Sequence, residues 1–251
     1  MRMPELEEIR KAAVASPPSA HNLQLLDNPI WNALTTEHSA LALRDGHARR
    51  YPAEIGPLSG LAEQTPEAYE SLRALTGPGG FSAQFLAEPP LDRVGWSLIR
   101  GGLMSQMIWS GDAAPAIKPP AGPAMLRHLT QAAVPAMVEL AGLTEPGPFR
   151  ARTSELGEFF GIFNAGRLLA MAGQRIRLPG FIEISAVCTH PDARGRGYAR
   201  AVMSEVIADI LGRGAWPILH VFADNHAAIR VYEALGFTHR RGLHLAVLQP
   251  E

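Results

Sequence analysis

The chain has 251 residues, 23 basic against 24 acidic, a net charge of −1 and 47% apolar residues. That balance excludes a disordered chain, which would be less apolar and more charged. It also argues against nucleic acid as the main partner, because phosphate binding needs a basic field. The length allows one large domain or two small ones. The single cysteine, Cys188, cannot form an intrachain disulfide and favours a reducing compartment. The longest stretch without a formal charge, residues 12–26, is broken by Pro17 and Pro18 and is too short to span a bilayer. The start of the chain is acidic where a signal peptide is apolar. A cytoplasmic protein is the expectation.

In chain order, residues 1–25 read as a loose arm. A helix is predicted over 66–76 and strands over 81–87 and 96–109. Residues 112–123, DAAPAIKPPAGP, hold four prolines and read as a linker. Beyond it come a strand at 125–130 and an amphipathic helix at 131–143, with Pro135 in its first turn. Pro146-Gly147-Pro148 breaks the chain. Strands at 158–164 and 168–176 flank a turn at Asn164-Ala165-Gly166. A strand at 181–189 precedes a Gly/Arg loop and a helix at 197–211. A strand at 218–223, a helix at 225–235 stopped by Gly236, and a strand at 243–248 complete the pattern. Hairpins followed by alternating strands and helices indicate an α/β (α+β) mixed sheet. The expected division is 1–111 as a smaller α/β domain, 112–123 as linker and 124–251 as the main domain.

The Gly/Arg loop carries the chemistry. An apolar strand runs into Arg194-Gly195-Arg196-Gly197 and then a helix. Small residues let backbone N–H groups approach an anion, the helix N-terminus adds its positive end, and Arg194, Arg196 and Arg200 strengthen the field. A pyrophosphate suits such a loop. There is no lysine for a Walker loop. A dinucleotide fingerprint is incomplete, since Arg200 takes the place of its third glycine, although Asp224 follows the next strand. Fewer than 30 residues remain after Asp224, too few for the rest of a doubly wound sheet. Taken alone, the Gly-x-Gly pair is as readily an ordinary turn.

A second constellation follows. Asn225, Ala228 and Tyr232 fall on one face of a helix. Capping alone would explain Asn225 and Gly236, and core packing would explain Tyr232.

Together the two constellations resemble the GNAT superfamily of acyl-coenzyme A-dependent N-acyltransferases. The loop Arg194-Gly195-Arg196-Gly197-Tyr198-Ala199 matches its coenzyme motif. Asn225, Ala228, Tyr232, Gly236 and Phe237 match its later helix. The resemblance covers about 124–251, and EISAVCTHPDARGRGYA looks like the subgroup akin to the C-terminal domain of glycine N-acyltransferases. It implies acetyl-coenzyme A as co-substrate, no metal, and a small-molecule amine or amino acid as acceptor. Val187, Cys188 and Thr189 would pair with the pantetheine arm, and residues 194–199 would hold the pyrophosphate. Asn225 and Ala228 would line the pantetheine, and Tyr232 would protonate the leaving thiolate.

An acceptor ammonium, with a pKa of about 10.4, must lose a proton before it attacks. The resemblance implies Glu183 as general base, eleven residues before Arg194 where several family members carry theirs, against the alternative of an exposed strand-end glutamate. His190 is a weaker choice of base. Strand alternation puts Glu183, Ser185 and Val187 on one face and turns Cys188 away as a small buried hydrophobe. The competing function is a non-catalytic coenzyme A sensor, which would need the loop but neither Tyr232 nor Glu183. The first half reads either as a degenerate acyltransferase-like half shaping the acceptor site or as a dimerisation or partner domain. Neither a membrane nor a nucleic acid is an expected partner.

Overall fold

The computed structural model describes residues 18, 20–90, 94–116, 120 and 122–251. Most of the expected arm, 1–17 and 19, lies outside the described residues. The described end of that arm is ordered onto the core. Helix α1 (Ala20–Gln24) leads through a short turn to α2 (Pro29–Thr35), and Leu26, Ile30 and Leu34 are buried. Three short antiparallel strands follow, β1 (Leu43–Asp45), β2 (Ala48–Arg50) and β3 (Ser59–Leu61). Helix α3 (Pro66–Thr76) starts as its sequence requires, with Thr65 accepting from the Ala68 N–H and Pro66 where a missing N–H is tolerated. Strands β4 (Ser82–Leu86) and β5 (Trp96–Trp109) complete the first half.

The second half contains β6 (Met125–Leu129), α4 (Val134–Thr144), β7 (Phe159–Asn164), β8 (Arg167–Leu178), β9 (Phe181–Thr189), α5 (Tyr198–Gly212), β10 (Trp216–Phe222), α6 (His226–Glu233) and β11 (Phe237–Pro250). The β7–β8 hairpin turns where the sequence predicts, with Ala165 and Gly166 both at positive φ. The described residues of the Pro-rich stretch carry no helix or strand.

One mixed sheet of eight strands runs β4-β11-β5-β10-β9-β8-β7-β6, and β1-β2-β3 form a separate small sheet. The two halves on either side of the Pro-rich stretch therefore share a sheet. β5, from the first half, lies between β10 and β11 and is antiparallel to both. β11, from the second half, pairs with β4 of the first. The halves also share a layout. β9–α5–β10 joins two parallel strands through a helix, and β3–α3–β4 does the same on a smaller scale, meeting at the parallel bridge Leu58–Ala83. Each unit hands its last strand to the other. Trp109 closes this exchange: it is buried, and its indole N–H donates to the Leu235 carbonyl at 3.0 Å.

Candidate active site

Strands β9 and β10 are paired only at their beginnings, from Trp216–Phe181 to Ile218–Glu183. Beyond that point they diverge. Residues 184–189 of β9 and 219–222 of β10 turn free backbone edges toward one another, and a polar backbone edge removed from water needs a partner. The divergence is reinforced by a bulge in β9. Ala186 has φ 53, and the register with β8 slips between Ser185 and Cys188.

A cleft of about 480 Å³ opens at this divergence. Its floor includes Ser185, Ala186, Val187, Leu219 and His220, and α6 contributes Asn225, Ala228 and Tyr232. The spacing that puts those three on one helix face turns that face to the cleft. The opposite wall comes from the first half, with Leu58, Phe81, Phe85, Arg100 and Met104.

A second pocket of about 450 Å³ adjoins it along β9 and α6, beginning at Thr189. Arg194, Gly195, Gly197, Tyr198, Ala199 and Arg200 line it, facing Ala227, Arg230 and Val231 of α6. Gly195 and Gly197 both have φ 75, which L side chains rarely adopt. A β-carbon at either would meet nothing within 4 Å, so the loop is an open cradle. Helix α5 begins at Tyr198 with no side-chain cap, leaving its first N–H groups for a ligand. Arg194, Arg200 and Arg230 line the same pocket. Positive charge and free N–H groups make this cradle suited to an anion. Arg196 is exposed and is not among the lining residues.

Glu183 takes a different place from the one expected of a base. It is fully buried and does not line the cleft. The Arg175 guanidinium donates to both of its oxygens, at 2.8 and 2.6 Å, and the His220 Nδ1–H donates to Oε1 at 2.7 Å. Burial pushes its pKa up, but the Arg175 charge, the Arg175 hydrogen bonds and the His220 contact outweigh burial and hold it at about 2. A carboxylate so occupied is a poor proton acceptor, which weighs against the general-base expectation. Nor is Glu183 an exposed strand-end glutamate.

The network continues into the first half. The Gln106 amide donates to His220 Nε2 at 2.9 Å and to the Leu26 carbonyl at 2.8 Å. Its oxygen accepts from Arg240 at 2.7 Å, which fixes the amide's orientation. With Nδ1 donating and Nε2 accepting, both ring nitrogens of His220 are used. Phe85 stacks on this cluster, 4.7 Å from the His220 ring and 5.5 Å from the Arg175 guanidinium.

Two further expected residues can be placed. The Cys188 side chain is buried with Met137 and Met171 under α4, away from both pockets, and burial raises its thiol pKa to about 11. Any pairing of Cys188 with the pantetheine arm is therefore through its backbone. The bulge also breaks the simple alternation expected through Val187. Tyr232 lines the cleft, and burial pushes its hydroxyl up to about 12. Asn225 caps α6, its Oδ1 accepting from the Ala228 N–H at 3.1 Å. His190 spends Nδ1 on the Asp192 N–H and Nε2 on Arg167.

Sequence reasoning missed Arg175, His220, Gln106, Arg230, Arg100 and Glu145. The first three could be found only from strand register. Arg230 sits two positions from Ala228 within a motif already singled out. Among the described residues, no group of three or more His, Cys, Asp or Glu could hold a metal ion, and no helix is long and apolar enough to cross a membrane.

A family model for FR47-like proteins matches residues 159–244. Mycothiol acetyltransferases of Mycobacterium avium and Mycolicibacterium paratuberculosis are each 42% identical over 83 residues, covering 29% of this chain and 26% of the relative. The match thus spans about a quarter of those curated relatives. A solved structure from Novosphingobium aromaticivorans, described as an acetyltransferase assigned to the GNAT family, is 38% identical. It covers 90% of this chain and 98% of its own, with a TM-score of 0.82. A GCN5-related N-acetyltransferase from Kribbella flavida, 17% identical, covers 87% of this chain and 95% of its own at a TM-score of 0.59, a likeness of fold alone. At the identity and coverage of the Novosphingobium relative, the chain belongs to the GNAT family.

Proposed function

We propose that the chain transfers an acetyl group from acetyl-coenzyme A to the primary amine of a small molecule or amino acid, by direct attack of the amine on the thioester. The observation that carries this reading is the divergence of β9 and β10 beside an open glycine cradle at an uncapped helix start. An amide-bearing arm suits the free strand edges, and a pyrophosphate suits the cradle. The coenzyme would then run from Arg194–Ala199 past Thr189 and Val187, with its thioester near the Ala186 bulge.

Tyr232 is the proton donor to the departing thiolate. Its raised pKa keeps the hydroxyl protonated, and a tyrosine can still donate to a thiolate in a closed site. Asn225 steadies the start of α6 against the arm. Glu183 and Arg175 hold His220 at the point where the strands part. The first half supplies Leu58, Phe81, Phe85 and Met104 to the acceptor side, so acceptor choice lies there.

The test is release of free thiol from acetyl-coenzyme A across a panel of amines and amino acids. Amine-dependent release supports the reading. Saturable coenzyme binding with no release for any amine favours a coenzyme sensor instead.

A further inference from the structure

Among the described residues that line the cleft there is one carboxylate, Glu145. It stands just past the end of α4, in the left-handed conformation with φ 47 and ψ 52, and its N–H is bonded to the Ala141 carbonyl at 2.8 Å. Two general effects disfavour glutamate here. Left-handed backbone at a helix end is normally given to glycine or asparagine, because a β-carbon is strained there. The C-terminal end of a helix also carries the negative pole of its dipole, which repels a carboxylate.

The strain is not scattered over the molecule. Three described non-glycine residues have positive φ: Glu145, Ala165 and Ala186. Ala165 is a hairpin tip. The other two both line this cleft. Strain retained at a cleft, where a commoner residue would remove it, points to a role for the side chain. Glu145 is also exposed, and Pro146 and Pro148 stiffen the segment that follows it. The other titratable groups lining the cleft are Arg100, Arg175, His220 and Tyr232. The two arginines are cations, His220 has both nitrogens engaged, and Tyr232 is held protonated. Glu145 alone has a free basic oxygen.

We infer that Glu145 receives the acceptor's ammonium group and takes the proton that it must lose before attack. This rests on the amine-acetylation reading above. The ammonium gives one proton to the Glu145 carboxylate, which passes it to bulk water. The amine nitrogen bonds to the thioester carbonyl carbon and the carbon–sulfur bond breaks. The nitrogen's second proton leaves as the amide forms and, through Tyr232, ends on the coenzyme thiol.

Two variants of the full chain test this. Glu145→Gln should lower kcat/KM by about 10²-fold and remove the acidic limb of its pH profile, with acetyl-coenzyme A affinity within about two-fold of the parent. Glu145→Gly should lose activity equally while melting about 2 °C higher, because glycine relieves the left-handed strain. A residue serving only as a helix end would give the reverse: a glycine variant at least as active as the parent. Parent-like kcat/KM and pH profile in both variants would overturn this inference alone. A parent chain inert toward every amine would overturn it together with the reading on which it rests.

Discussion

Replacing Glu183 with glutamine takes one charge out of a cluster that has little water to compensate. The Glu183 side chain is 0% exposed and that of Arg175 is 17% exposed. In the variant, Arg175 keeps its charge and loses its counter-ion, and one of its N–H groups meets an amide N–H₂ in place of an oxygen. Removing one side of a buried pair costs about 3–5 kcal/mol. The carboxyl's displacement from its ordinary 4.5 to about 2 gives a second figure. At 1.36 kcal/mol per pH unit, it amounts to about 3 kcal/mol. For a chain of this size each kcal/mol moves Tm by roughly 2–4 °C, so the variant should melt about 10 °C below the parent at neutral pH. Because the folded carboxyl titrates below the unfolded one, this stabilisation is fully present above about pH 4.5 and drains away as the pH falls toward about 2. Thermal melts followed by circular dichroism at neutral pH and near pH 3 should show a gap that narrows on acidification. Equal Tm values at neutral pH, or a gap indifferent to pH, would refute the argument that this ion pair is buried and matched.

The loop and the strand exchange give three more expectations. Gly197→Glu should abolish coenzyme A binding in calorimetry, since a carboxylate would face the pyrophosphate. Gly197→Ala, whose β-carbon meets open space, is the control for backbone cost alone; unchanged affinity in the glutamate variant would reassign the loop. Tyr232→Phe should lower kcat by about 10²-fold with little change in coenzyme affinity, and an unaltered kcat would leave the residue to packing. A fragment of residues 112–251 should show no cooperative melt, because β10 and β11 each lose their shared neighbour β5 and β11 also loses β4. A cooperatively folding fragment would contradict the exchange.

The parts of the site within one stretch of chain were legible in advance. The glycine cradle, the start of α5, the Asn225 cap and the 164–166 turn each follow from local rules that need no partner strand. What could not be read depends on register between distant strands. Nothing in residues 96–109 says that they enter the sheet between β10 and β11, because apolar periodicity marks a strand without naming its neighbours. Glu183 illustrates the consequence. Its strand was apparent, but its fate is decided by Arg175 on β8 and His220 on β10, eight residues before it and 37 after it. The Ala186 bulge was likewise silent, since an extra residue in a strand leaves no local signature in Ser-Ala-Val. Glu145 lay beside a recognised chain break, and its place in the cleft emerges only when α4 ends against β9 and the first half.

Amine acetylation makes a stoichiometric statement: every thiol released has a matching acetylated amine. Incubating the full chain with acetyl-coenzyme A and an accepted amine, then measuring free thiol and N-acetylated product by mass spectrometry, tests it directly. Equal amounts of the two are expected, with no acetyl group left on the protein. Thiol release without acetylated amine, or acetyl accumulating on Cys188, would contradict it.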